Sequence, residues 1–205
     1  MAAEPILPDR RRVRGNATRA RIVQAALRLA SIQGLNGVTI GQVAAAARVT
    51  KGQLVQLLGN REALQLATLA AARDLFSSEV MNNAQKPRTA WEKLDRECLG
   101  WFDYVERRVL PGGCLITAAS SEFRTIKGAV REQLISLRDI RKKRLKDLIR
   151  AARRENKKRG TLDVAEMVHQ LLAYQAGANI AALLDDKAAF AQAKRATRAL
   201  IETLA

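Results

Sequence analysis

The sequence predicts an all-α protein of about nine helices, and three observations carry that reading. Hydrophobic residues make up 48% and aromatics 4% of 205 positions, with Ala and Leu abundant. That supplies a core from strong helix formers. Val and Ile seldom alternate with polar residues, so strands are not indicated. Apolar residues instead recur at three- and four-residue spacing between turn signals at Gly, Pro and Asn. The length suits one large domain or two small ones.

The first helix is expected over 17–33, with Asn16 as its cap, Gly34 as its stop, and Ile22, Ala26, Leu29 and Ala30 on one face. After the Gly34-Leu35-Asn36-Gly37 turn, two similar tetrapeptides follow, Thr39-Ile40-Gly41-Gln42 and Thr50-Lys51-Gly52-Gln53. Each places Thr first and Gln fourth ahead of an apolar stretch, the pattern of a capping box. Short helices are therefore expected over 40–47 and 51–58, with a turn of about three residues between them. Two short helices that each carry one apolar stripe form a helix-turn-helix. The second start lets the second helix leave at a steep angle, so that its N-terminus and outer face can enter a DNA major groove.

Asn60 caps a longer helix over 61–81, with Leu64, Ala67, Ala71 and Leu75 inward. Asn82-Asn83 and Lys86-Pro87 mark a break. A helix over 88–107 carries Trp91, Leu94, Cys98, Trp101, Phe102 and Val105 at helical spacing. Pro111-Gly112-Gly113 stops it, and a short helix over 114–123 follows. An amphipathic helix over 129–159 presents Val130, Leu134, Leu137, Leu145, Leu148 and Ala152. After Gly160 and Thr161, helices over 162–184 and 187–204 close the chain. Positions 167–184 hold no formal charge, but His169, Gln170, Gln175 and Asn179 would be costly in hydrocarbon. A helix covered by protein on two sides is the better reading.

The net charge of +16 is concentrated. Residues 9–28 carry seven bases and one acid, and residues 138–159 carry twelve bases and three acids. A polyanionic partner follows, with nucleic acid favoured over a membrane surface. The basic N-terminal arm, 1–16, offers Arg10, Arg11, Arg12 and Arg14 either to a minor groove or to phosphates in general. The segment 138–159 is read as a solvated charged face, as a contact to DNA outside the main site, or as a balance for acids on a neighbour.

Several function classes find no support. No Walker glycine loop, zinc spacing or nucleophile elbow is present, so no enzyme activity, metal or cofactor is expected. His169 is expected to hold a satisfied hydrogen bond rather than act as a base. Cys98 and Cys114 lack metal spacing and read as two buried, reduced thiols. The N-terminus has no apolar signal core, so a cytoplasmic protein is expected.

The run TRARIVQAALRLASIQGLNGVTIGQVAAAARVTKGQLVQLLGNREALQLA, positions 18–67, resembles the first three helices and the start of the fourth in the TetR/AcrR family of transcriptional regulators. GGCLITAASSEF and QAGANIAALL are similar to one branch of that family's C-terminal domain. The resemblance implies a helix-turn-helix DNA-binding domain over 17–60 and a helical effector-binding and dimerisation domain over 61–205. It also implies a homodimer through 162–184 and 187–204, on a palindromic operator, released by a small effector and acting as a repressor. The small residues Ala173, Ala176, Gly177, Ala178, Ala181 and Ala182 would let such helices approach closely. The alternative is a basic architectural or RNA-binding protein without sequence readout.

On this reading Thr50 and Lys51 meet phosphate at a helix N-terminus. Gly52 leaves room for the DNA backbone, as the family pattern also has Gly there. Gln53 and Gln56 can offer bidentate hydrogen bonds to adenine, although Gln53 also suits the cap. Thr39 and Gln42 would touch phosphate from the bracing helix, and Arg48 and Arg61 would clamp the backbone. Many members have an aromatic-rich Leu-Tyr-His-His-Phe-type run where this chain has Leu54-Val55-Gln56-Leu57-Leu58. Val55 cannot donate to phosphate but can pack on a thymine methyl. Leu58 keeps the core role. The family places its effector among the helices after the DNA-binding unit. There Trp91, Leu94, Cys98, Trp101, Phe102, Tyr104 and Phe123 would line a pocket for a largely apolar ligand or serve as ordinary core.

Overall fold

The computed structural model describes residues 10–81, 88–157 and 163–205. The described residues form nine α-helices and no strand. In order these are α1 (Arg10–Gln33), α2 (Ile40–Ala46), α3 (Lys51–Leu58), α4 (Arg61–Phe76), α5 (Ala90–Glu106), α6 (Leu115–Glu122), α7 (Ala129–Glu155), α8 (Val164–Leu183) and α9 (Lys187–Glu202). Asn82-Asn83, Lys86-Pro87, Gly160 and Thr161, read above as breaks, lie outside the described residues. So do residues 1–9 of the basic arm and the side chains of Arg10, Arg11 and Arg12.

α1 departs from the expected start. It begins at Arg10, so Asn16 is an interior residue and not a cap. Arg is a good helix former, and the lone Gly15 stands where an added Cβ would meet nothing within 4 Å. Nothing there breaks the helix, so it runs back through the basic stretch. α4 also differs, because its last expected turn is a π-helical segment, Ser77–Met81. The wider turn places Val80 in the core (2% exposed) against Gly100, where a Cβ would lie 3.1 Å from its Cγ1. α4 is also rotated from expectation. Leu64, Gln65, Thr68, Leu69 and Ala72 are buried, while Ala67, Ala71 and Leu75 are only half-buried.

Caps set the local boundaries. Thr39 and Gln42 form a complete capping box on α2, and Thr89 and Glu92 form another on α5. Asn60, Asp163 and Asp186 cap α4, α8 and α9 through their side-chain oxygens. Thr50 caps α3 from one side only: Gln53 N–H donates to Thr50 Oγ1 at 3.1 Å, and the Gln53 side chain does not return. The second box expected from the sequence is therefore half formed.

One apolar cluster runs from α1, α2 and α3 through α4 into α5, α6 and α7. Leu27, Leu35, Leu54, Leu69, Phe102 and Tyr104 are its largest closed members. A second cluster joins α5, α7, α8 and α9 around Leu94, Cys98, Leu145, Ile149 and Leu171. The charge-free stretch of α8 sends two of its three side-chain amides inward, while Gln170 bonds Glu166 at the surface. Gln175 Nε2 donates to the Cys98 carbonyl at 3.4 Å, and Asn179 Oδ1 accepts the Cys114 N–H at 2.7 Å. Burial of these amides is tolerated because each has a partner. No helix among the described residues is long and apolar enough to cross a membrane.

Candidate functional site

The α2–α3 unit is held by its apolar residues and leaves one face open. Leu54 is fully buried and Leu58 is 8% exposed, and they anchor α3 on α1 and α2. The opposite face carries Lys51, Gly52, Gln53, Val55 and Gln56, all exposed. A Cβ on Gly52 would meet nothing within 4 Å, so the backbone is open to close approach there. A Cβ on Gly41 would lie 3.2 Å from Lys51 Cε and 3.7 Å from Nζ, so the Lys51 side chain runs along the first turn of α2. An ammonium held beside two positive helix ends is an arrangement that an anion relieves. Gln53 makes no hydrogen bond with its side chain among the described residues and points into solvent, which frees its amide for a base edge.

The bracing residues are differently engaged. Gln42 Oε1 accepts the Thr39 N–H at 3.0 Å, and its Nε2 donates to Gln33 Oε1 at 3.3 Å. Its amide is thus occupied by the cap and by α1. Arg48 sits in the turn at φ +52° with its side chain exposed. Arg61 is exposed but already engaged within the chain. Its Nε donates to the Val38 carbonyl at 3.2 Å and its Nη2 donates to the Asn36 carbonyl and to Asn36 Oδ1. That guanidinium ties α4 to the α1–α2 turn. Arg21 does similar work, donating from Nε to the Ala47 carbonyl at the end of α2, 3.0 Å away.

The same turn is held from the other side by α6. Glu122 accepts the Leu35 N–H at 3.2 Å and the Asn36 N–H at 2.7 Å. Nearby, the backbone of Gly112 abuts the end of α1 so closely that a Cβ would fall 1.4 Å from the Ser31 carbonyl oxygen. No sequence signal marks Glu122, because its partners lie far away in the chain.

A cavity of about 300 Å3 opens between α4, its π-helical end, α5, α6, α7 and α8. Phe76, Met81, Trp101, Ile116, Leu137 and Leu172 make its apolar lining. Of the seven residues expected to line a pocket, only Trp101 does so here, and Phe123 lines a separate groove of about 760 Å3 between α6, α7 and α8. Leu94, Cys98, Phe102 and Tyr104 are closed in the core at 2% exposure or less, and half-buried Trp91 donates its indole N–H to the Ile201 carbonyl at 3.2 Å. Helical spacing marks a residue as inward, but core and cavity wall share that spacing.

Cys98 is buried and Cys114 half-buried on the cavity wall, so one of the two expected buried thiols is partly open. Burial pushes the Cys98 thiol up to about 12.

Part of the basic α7 segment is neutralised internally. Glu97, 3% exposed, accepts Arg141 Nη1 at 2.7 Å and Arg144 Nε at 2.7 and 2.9 Å. Arg141 also lies 5.5 Å from the centre of the Phe76 ring. Lys142 pairs with Asp139 and Lys143 with Asp147 at the surface. An acid inside an apolar stripe, as Glu97 is between Leu94 and Trp101, is a signal of such a buried partner.

On α8, Ala173, Gly177 and Ile180 are exposed along one side, and Leu184 at its end is 74% exposed. His169 is exposed too, with no hydrogen bond among the described residues, contrary to expectation.

Residues 90–197 match the family model described as Tetracyclin repressor-like, C-terminal domain. No curated protein matches the chain. A TetR transcriptional regulator from Chloroflexus aurantiacus is 22% identical, with TM-score 0.80 over 93% of this chain and 96% of its own. FadR from Bacillus subtilis, in complex with stearoyl-CoA, is 16% identical, with TM-score 0.68 over 90% and 96%. AibR, in complex with isovaleryl coenzyme A and operator DNA, is 21% identical, with TM-score 0.64 over 80% and 86%.

Proposed function

The chain belongs to the TetR family of transcriptional regulators, and we propose that it is a repressor that binds a palindromic operator as a homodimer. Residues 17–60 would form the DNA-binding unit and residues 61–205 the effector-binding and dimerisation part. The observation that carries this reading is the open face of α3, anchored by Leu54 and Leu58 behind and presenting Lys51, Gly52, Gln53, Val55 and Gln56 in front. Thr50 and Lys51 take a phosphate, Gln53 and Gln56 address base edges, and Val55 packs on a thymine methyl. Arg48 and Thr39 add phosphate contacts, while Arg61 and Gln42 position the unit from behind.

Two copies would be joined through 162–184 and 187–204, setting their α3 helices about 34–36 Å apart or a multiple of it. The α8 stripe of Ala173, Gly177, Ile180 and Leu184 supports this, since a second copy would cover it. A small, largely apolar effector in the 300 Å3 cavity would favour a conformer with the wrong spacing. That FadR and AibR carry acyl-CoA ligands supports an effector of this kind.

Replacing Lys51 by Ala tests the placement. Operator affinity should fall on all sequences, with the salt slope shallower by roughly one unit. Unchanged affinity and slope would overturn it. Equal binding of palindromic and random DNA in competition would instead favour an architectural protein.

A further inference from the structure

The cavity and the groove adjoin, since Thr117 and Arg138 line both. Their charges are arranged differently. In the inner cavity, Arg141 and Arg144 are committed to Glu97, and Arg73 to Asp74 at 2.6 Å. Apart from Arg138, which it shares with the groove, what remains there is a largely apolar surface. The outer groove is lined on its α6–α7 side by Arg124, Arg131 and Arg138, none of which forms an ion pair among the described residues, and on its α8 side by Ile180, at the edge of the stripe that a second copy would cover. Its one acid is Glu122, already engaged by the Leu35 and Asn36 N–H groups. Thr117 and Ser121 add hydroxyl groups along the same wall, while the Ser120 hydroxyl donates to the Ile116 carbonyl.

We propose that the effector is a single elongated amphiphilic anion: an apolar chain in the inner cavity and a carboxylate or phosphate head in the outer groove on Arg138, Arg124 and Arg131. The inference rests on the effector reading given above and names the chemistry of that ligand. Guanidinium groups without a partner bind such heads through paired, charge-assisted hydrogen bonds. An uncharged chain would fill the cavity but leave these groups to water. Arg138 is exposed and lines both compartments beside Thr117, so one side chain joins them without a backbone change. The groove also explains how binding is felt elsewhere: its wall contains Glu122, the residue that holds the α1–α2 turn.

The test uses the full chain and three probes, decanoate, decyl phosphate and 1-decanol, below their aggregation thresholds. Binding is followed by the fluorescence of Trp101 in a Trp91→Phe background. Both anions should bind at least about tenfold more tightly than decanol, and whichever anion binds better identifies the head group. Arg138→Gln should remove most of that preference while leaving decanol unchanged, and Arg138→Lys should restore part of it. Arg131→Gln serves as a second variant should Arg138→Gln fail to fold. Equal binding of decanol and the anions, equal losses for all three probes in Arg138→Gln, or binding of none of them would overturn the assignment. Operator binding by Lys51→Ala is measured without any of these probes, so its outcome stands apart.

Discussion

Glu122, at the end of α6, accepts the backbone N–H of Asn36 at 2.7 Å across 86 positions of sequence. Its other oxygen holds the Leu35 N–H. Two backbone donors in the turn that precedes the helix-turn-helix are thereby fixed by a carboxylate on the wall of the outer groove. Arg61 grips the same turn from α4. The turn that leads into α2 is therefore held from both sides, in addition to the apolar core that α2 and α3 share with α1 and α4.

The first prediction concerns this attachment. Glu122→Gln keeps the shape but removes the charge from two partly exposed hydrogen bonds, which should cost about 1 kcal/mol. For a chain of this size that lowers the melting temperature by about 2–4 °C. Effector-driven release from DNA should weaken as well, because the turn would no longer report movement of α6. A thermal melt paired with operator titrations checks both. An unaltered melt would mean that the contact contributes nothing.

Two glutamines at equivalent motif positions should behave oppositely. Gln42 closes a capping box and contacts Gln33, so Gln42→Ala should destabilise the fold by about 0.5–1 kcal/mol. Gln53 has no such duty, so Gln53→Ala should alter stability by less than about 0.5 kcal/mol. It should instead reduce discrimination of the operator from a point-mutated site by about 1–3 kcal/mol. Urea titration and competition binding separate the two effects.

The exposed stripe of α8 predicts the assembly. Ile180 is 59% exposed, and Ile180→Asp should leave the chain folded but place a charge on the proposed dimer surface. Sedimentation should then report a monomer, and operator binding should fall sharply. A dimer that survives this substitution would place the interface elsewhere.

The thiols give a chemical readout. At pH 8 an alkylating reagent should modify half-buried Cys114 and spare Cys98, whose proton is held by burial. Decanoate should slow the Cys114 reaction if it enters the cavity. The folded-state value of about 12 for Cys98 exceeds its ordinary 9. Its contribution is complete below pH 9 and is lost as pH rises towards 12, because the unfolded chain ionises first. Burial raises Tyr104 as well, which acts in the same direction. The urea midpoint should therefore be lower at pH 10.5 than at pH 8.

Much of the molecule is decided within a few residues along the chain, and there the sequence suffices. The all-α class, the bounds of α3 and the caps at Thr39, Thr50 and Asn60 follow from periodicity and from side chains that reach three positions away. The opposition of Leu54 and Leu58 to Lys51, Gln53 and Gln56 follows from 3.6 residues per turn. The family is legible for the same reason, since its motif is a run of local signals.

Tertiary structure decided which charges remain available. Arg61 and Arg48 look alike in the sequence and both are exposed, yet only Arg61 grips a turn among the described residues. Arg138 and Arg141 stand three residues apart on α7, and only Arg141 meets Glu97. Trp101 lines a cavity while Phe102, its neighbour, is core. A helix determines the direction in which a side chain leaves the backbone. What the side chain meets there is set by another helix, brought in by contacts that no local pattern encodes.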